Sequence, residues 1–299
     1  MGTNASVLLV NKRSGLTSFS ALDKIKRTID RKVGHAGTLD KFAQGLLVVL
    51  TGSMTRLNVL FSQMDKQYRA TILFGEETDT LDPEGKVVAS APCPDFETIQ
   101  KAIKEHFLGT IKQQPPQYSA LHVEGKRASS LARSGKTVEM ASRLVTVYSF
   151  DVVSYENNRL ICDIHVSKGT YIRSIARDLA LACNSRGHLV ELTRTAIGPY
   201  RLDEAFDFDD TGNLIRSMEN TEQLLHRLPS LSWYAVPKED EFMMVNGTCS
   251  PNLACEVEKG SALYGAVHDT MGDLRWIVDM KTKRIISQIP QKAGELATI

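Results

Sequence analysis

The chain has 299 residues, 42% hydrophobic and 24% charged, with a formal net charge of +1. These are ordinary values for a soluble globular protein with one large core, or one large and one small domain. No stretch approaches the roughly 18 apolar residues of a membrane span, and Val7–Val10 is too short for a signal-peptide core.

The five cysteines, Cys93, Cys162, Cys183, Cys249 and Cys255, include no C-x-x-C pair. Neither a disulfide framework nor a zinc site is expected, and a cytoplasmic location is. The histidines include no H-E-x-x-H, so no metal site is expected. The charge is unevenly spread. Residues 1–70 carry 11 Lys/Arg against 4 Asp/Glu, whereas residues 201–299 carry 10 against 16. One face meeting a polyanion would produce such an asymmetry.

Ser6–Asn11 reads as a strand. Thr17 and Ser18 offer N-caps for a helix through Ile29, with Leu22, Ile25 and Ile29 on its apolar side and a basic surface elsewhere. Val33–Gln44 lacks apolar periodicity and reads as an ordered, glycine-rich loop. It leads into the apolar run Leu46–Leu50, a buried strand. Gln67–Leu73 alternates as a strand does. Asp82-Pro83-Glu84-Gly85 is a turn, and its acidic residues do not match calcium-loop spacing.

Phe96–Phe107 is a predicted helix. Pro115-Pro116 precedes an extended piece, Tyr118–Val123. Val145–Ser154 and Arg159–Ser167 are neighbouring strands joined at Glu156-Asn157-Asn158. Gly169–Ala182 is a helix with Arg173 and Arg177 one turn apart. Asp203–Asp210 is an acidic connection. From Trp233 onward come short strands with turns at Asn246-Gly247 and Met271-Gly272-Asp273.

There is no G-x-x-x-x-G-K-[ST], G-x-G-x-x-G or G-x-S-x-G. The distinctive segment is Gly34-His35-Ala36-Gly37-Thr38-Leu39-Asp40. Polar residues in a glycine-rich loop pinned to a buried strand often form a site.

That segment, continued through Gly45-Leu46-Leu47, Gly52 and Thr55-Arg56, resembles the central motif of TruB-type tRNA pseudouridine synthases of the bacterial kind. The resemblance extends in order over roughly residues 7–200. It takes in Asn11-Lys12, Gly15 and Thr17-Ser18, then Lys66–Arg69, Thr78–Asp82 and Pro115-Pro116-x-Tyr118-Ser119-Ala120. Gly125-x-Arg127-Ala128, Leu131-Ala132-Arg133 and Ser167-Lys168-Gly169-Thr170-Tyr171-Ile172-Arg173 follow.

The family implies an α+β fold. A mixed, largely antiparallel sheet flanked by helices fills residues 1–230, and a small β-rich domain like the RNA-binding PUA type fills 231–299. It implies isomerisation of uridine 55 in the tRNA T-loop, with no metal or organic cofactor. The expected partner is the tRNA T-arm stem-loop, and the protein is expected to act as a monomer without an obligate protein partner or a membrane.

By resemblance Asp40 is the catalytic aspartate and Arg173 the arginine that pairs with it. Tyr68 is the tyrosine that stacks on the target uracil, where its hydroxyl could also help move the C5 proton. His35 takes part in extruding the base. Tyr171 and Leu192 line the uracil pocket. Lys12, Arg56 and Lys168 are candidates for phosphate contact or loop support.

Two positions depart from the family pattern. Arg13 and Lys41 stand where prolines are usual, which removes a backbone restraint and adds positive charge at each. Lys41 would then compete with Arg173 for Asp40. The alternative readings are a related synthase on another RNA, a tRNA-folding chaperone with dispensable catalysis, and a binding protein with a decayed site.

Overall fold

In the computed structural model the apolar run Leu46–Leu50 lies inside a ten-stranded sheet, every residue of it buried. The described residues are 5–119, 122–123, 126–127, 140–207, 210–260 and 262–289. The matched run Gly125–Arg133 lies outside them except for Lys126-Arg127.

The first elements are β1 (Val7–Lys12), α1 (Asp23–Thr28), β2 (Val33–Ala36), β3 (Gln44–Thr51) and α2 (Asn58–Ser62). Next come β4 (Lys66–Phe74), β5 (Glu76–Thr78), β6 (Val87–Ser90), α3 (Phe96–His106) and β7 (Gly109–Gln113). Two short strands, β8 (His122–Val123) and β9 (Lys126–Arg127), pair only with each other. They are followed by β10 (Arg143–Glu156), β11 (Arg159–Val166), α4 (Ile172–Ala182) and β12 (Gly187–Ile197). Next are β13 (Tyr200–Arg201), β14 (Phe206–Asp207), α5 (Thr211–Ser217) and α6 (Thr221–His226). The last elements are β15 (Leu231–Ala235), α7 (Glu241–Val245), β16 (Ala254–Val257), β17 (Tyr264–His268), β18 (Leu274–Asp279) and β19 (Arg284–Gln288).

The large sheet runs β14-β1-β3-β12-β4-β11-β10-β7, with β2 added to β3 and β13 to β12. All its pairs are antiparallel except β1–β14 and β3–β12. Alternation along β4 sends Tyr68, Ala70, Ile72 and Phe74 into a core with α3 and α4. It leaves Arg69 outside, opposite Asp163 of β11, with Nη2 2.7 Å from the carboxylate.

A five-stranded sheet, β16-β15-β17-β18-β19, carries the remaining strands. Trp233, Ala266 and Ile277 from it share one core with Leu46, Val48 and Leu50 of β3. Burying these apolar faces against each other joins the two sheets.

Five local expectations change. The helix expected from Thr17 through Ile29 is a 3-10 turn, Ser20–Leu22, leading into a short α1. Thr17 Oγ1 accepts from Ser20 N at 3.0 Å, but Ser18 turns inward instead of capping. The expected loop Val33–Gln44 opens as β2, because Val33–Ala36 pair with β3. α4 starts at Ile172, since Gly169 is left-handed (φ +80°) and Tyr171 extended. The connection 203–210 contains β14, which pairs parallel to β1. The Asn246-Gly247 turn closes α7 rather than joining strands: Gly247 N donates to Met244 O at 3.1 Å and Thr248 N to Met243 O at 2.9 Å.

Candidate active site

The loop 37–43 between β2 and β3 exposes backbone carbonyls that no strand satisfies, and neighbouring groups take them up. Lys12 of β1 is fully buried, and its Nζ donates to Ala43 O at 2.5 Å, Leu16 O at 2.7 Å and Arg13 O at 3.1 Å. Ser14 Oγ donates to Phe42 O at 2.7 Å, and Gly15 N to Lys41 O at 2.8 Å. Ser18 Oγ donates to Leu39 O and accepts from Leu39 N. From the other side comes Arg194 of β12, also buried. Its Nη2 donates to Gly37 O at 3.0 Å and its Nε to Leu46 O at 2.8 Å. Gly45 must be glycine here: its φ is +108°, and a Cβ would lie 2.4 Å from Arg194 O.

This scaffold presents Asp40. Arg173, at the first turn of α4 and almost wholly buried, meets it with two nitrogens. Nη2 donates to Oδ1 at 3.0 Å and Nε lies 2.9 Å from Oδ2. The guanidinium is itself fixed by donation to Thr80 O at 2.9 Å and Tyr118 O at 3.0 Å. Its Nη1 is also 3.5 Å from Asp82 Oδ2. Burial raises the Asp82 carboxyl above its ordinary pKa, opposed by hydrogen bonds from Thr80 and Glu84 N and by Arg173. One arginine therefore serves two carboxylates.

Asp40, Tyr68, Tyr171, Arg173 and Leu192 line one cavity of about 280 Å3. Tyr68 projects from β4, and its hydroxyl has no hydrogen-bond partner among the described residues. Tyr171 is held by Gln113: its N donates to Oε1 at 2.9 Å, and Nε2 donates back to its carbonyl at 3.1 Å. Arg143 lies over its ring, 4.7 Å from the centroid.

The other four predicted site residues lie outside this cavity. His35 is on β2, half-buried, with Nδ1 enclosed. Burial and the nearby Arg194 lower its pKa. Lys12 has no free face for a phosphate and takes the loop-supporting role. Burial lowers its pKa to about 8. Arg56 Nη1 donates to Ile286 O of β19 at 3.0 Å, bridging to the smaller sheet. Lys168 is exposed and donates to Gln63 Oε1.

Lys41 does not compete for Asp40. Its ammonium is 3.0 Å from Glu84, and Arg13 reaches Asp207 at 3.6 Å. Both unusual cations have acidic neighbours of their own.

Sequence reasoning missed Arg194, Lys66, Arg143, Gln113 and the part played by Asp82. Arg194 had a signal: it alternates with Leu192 and Ala196 on the buried face of β12, where a cation requires a reason. Lys66 lines the cavity, and its pKa is lowered to about 8 by burial and Arg194. Asp82 lay in the matched segment Thr78–Asp82, but nothing in the sequence tied that turn to Arg173, because only the fold brings the two together.

A family model described as "TruB family pseudouridylate synthase (N terminal domain)" matches residues 25–172. The tRNA pseudouridine synthase B of Borreliella burgdorferi (strain ZS7) is 48% identical over 202 residues, covering 66% of this chain and 71% of that one. The enzyme of the same name from Bordetella pertussis is 41% identical over 224 residues, covering 73% and 90%. Among solved structures, a chain of a Cbf5-Nop10-Gar1 complex superposes with a TM-score of 0.66 at 22% identity, covering 96% of this chain and 84% of that one, and shares the fold. Given the identities over most of the relatives' length, this chain belongs to the TruB family of pseudouridylate synthases.

Proposed function

We propose that this protein isomerises uridine 55 in the T-loop of tRNA to pseudouridine, with Asp40 as the catalytic carboxylate. The observation that carries the reading is the Asp40–Arg173 pair in the wall of a cavity that also holds Tyr68, Tyr171 and Leu192. Relatives named tRNA pseudouridine synthase B support the substrate.

The reaction breaks the bond between ribose C1′ and uracil N1 and forms one between C1′ and C5. The C5 proton departs and N1 ends protonated, so product and substrate are isomers and no co-reactant is consumed. Asp40 acts at the ribosyl–uracil bond as nucleophile or as a stabiliser of developing positive charge. Arg173 holds the carboxylate in one orientation. Tyr68 stacks on the uracil, and its hydroxyl helps carry the C5 proton. Tyr171 and Leu192 enclose the base. His35, beside the cavity, assists extrusion of the nucleotide, an unstacking that costs a few kcal/mol. Residues 231–299 form a PUA-like RNA-binding domain, with Arg56 fastening it to the catalytic part. The protein works as a monomer on the T-arm, in the cytoplasm.

The test is pseudouridine formation at position 55 of unmodified tRNA by purified wild type and Asp40→Asn. Wild type forms product without added cofactor. The variant loses at least about a thousandfold in rate while still binding tRNA. A folded wild type that leaves position 55 unmodified refutes the substrate assignment. An active Asp40→Asn refutes the role of Asp40.

A further inference from the structure

Phe19 stands out among the groups that the proposed chemistry leaves unused. It is 68% exposed, next to Leu16 at 37%, on the segment that crosses behind the catalytic loop. This segment is not a loose tip. Ser14, Gly15 and Ser18 hydrogen-bond to Phe42, Lys41 and Leu39, on both sides of Asp40, and buried Lys12 ties Leu16 to Ala43. An aromatic ring fixed this firmly and left in water is pre-organised for an outside partner.

The chemistry around the ring indicates which partner. Lys26 Nζ lies 3.8 Å from the ring centroid and 3.4 Å from Asp23, and Lys24 and Arg27 share the helix with it, so cations outnumber the one acid there. These residues lie in the basic first part of the chain, where Lys and Arg outnumber Asp and Glu by 11 to 4 over residues 1–70. The other strongly exposed phenylalanine among the described residues, Phe242, makes the opposite case. It lies among Glu239, Asp240 and Glu241, whose charge repels phosphate. An aromatic face next to cations suits a nucleobase with its attached phosphates.

We propose that Phe19, backed by Lys26, is a stacking platform for an unpaired base of the RNA substrate. This base is distinct from the uridine that enters the cavity, because Phe19 does not line that cavity. The inference rests on the reading of an RNA substrate given above. It adds a second contact that clamps the RNA next to the loop carrying Asp40.

The test is binding of an unmodified T-arm stem-loop to wild type, Phe19→Ala, Phe19→Leu and Phe19→Trp, with single-turnover rates measured on the same RNA. Phe19→Ala and Phe19→Leu both weaken binding about tenfold, and the loss appears in KM rather than in the saturating rate. Phe19→Trp keeps the wild-type affinity. Because Trp233 and Trp276 are both buried, its added emission reports the site, and RNA quenches it. Unchanged binding by Phe19→Ala overturns the proposal. So does a Phe19→Leu variant that binds as tightly as Phe19→Trp, which would make the contact apolar rather than stacking. The binding comparison is independent of product at position 55. A wild type that binds but does not react there refutes the function and leaves this contact to be judged on its own.

Discussion

The loop that carries Asp40 and the five-stranded sheet bury charge in opposite ways. Around the loop the buried ions are mainly the cations Lys12, Arg194, Arg173 and Lys66, which mostly donate to backbone carbonyls, and the buried carboxylate there, Asp82, faces Arg173. In the smaller sheet they are the anions Asp240 and Asp269. Asp269 accepts from Met271 N at 2.9 Å and Asp273 N at 3.0 Å, and Asp240 accepts from Ser250 and Asn252 side chains. The difference follows from which groups each chain path leaves unsatisfied. A loop running between two strands turns its carbonyls inward and needs donors. A tight turn such as 269–273 presents its N–H groups and needs an acceptor. One outcome bears on the proposed function, since Asp40, the cavity-lining carboxylate of the loop, is set among cations.

The strongest way to break this contrast is to remove one support from each region. Arg194→Met strands the carbonyls of Gly37 and Leu46. It is expected to reduce stability by about 3–5 kcal/mol and the rate of the folded fraction by about a hundredfold, through displacement of Asp40. Trp276→Ala empties a fully buried site in the smaller sheet and is expected to reduce stability by about 3–5 kcal/mol as well. It leaves the saturating rate of the folded protein intact. Urea unfolding and single-turnover rates, measured below each variant's transition, separate the two. Equal rate losses in both variants would mean that the loop is no more specifically supported than the rest of the molecule.

The same contrast explains what could be read in advance. Apolar runs and alternation identified β3, β4, β10 and β11, because each buries a face that its sequence declares. Asn157 and Asn158, both with positive φ, form the hairpin turn expected of them. β2 and β14 were not legible. Neither is apolar enough to announce itself, and each exists because an edge of β3 or β1 is available to it. In the site, Asp40 and Arg173 were legible through the family resemblance. Of the other buried cations, Lys12 was a candidate, Arg194 was missed despite its place on the apolar face of β12, and Lys66 was not legible, because a lysine in a strand looks the same whether its head is in water or against a carbonyl.

A weaker effect sharpens the contrast through pH. Burial lowers Lys12 from 10.5 to about 8. Below about pH 8 the ammonium is charged in both the folded and the unfolded chain, and its desolvation is fully felt. Between about 8 and 10.5 the folded protein has released the proton and the unfolded chain still holds it. The unfolded state then binds more protons, and stability rises with pH. Lys66, also about 8, acts in the same direction. The stability of wild type relative to Lys12→Met should therefore increase by up to about 3 kcal/mol from pH 7 to 10.5, read from urea midpoints of both proteins at each pH. A flat difference would show that the carbonyl contacts of Lys12 leave no net burial penalty, and the cation-rich loop would then be no more pH-dependent than the sheet.

The smallest expected effect concerns the two cations at unusual positions. Lys41 and Glu84 are both about half exposed, with side-chain exposures of 53% and 44%, so their 3.0 Å contact is screened by solvent. It joins the loop of Asp40 to the turn of Asp82, and these are the two carboxylates that share Arg173. Lys41→Ala should therefore lower stability by less than about 1 kcal/mol and the rate by less than about fivefold. Glu84→Ala should add nothing in the Lys41→Ala background, whereas exchanging the two charges should restore most of the loss. A rate change well beyond fivefold that persists in the charge exchange would place Lys41 in direct interaction with Asp40 or with the RNA. The loop's positive surroundings would then include an exposed cation, acting on the chemistry as well as on the fold.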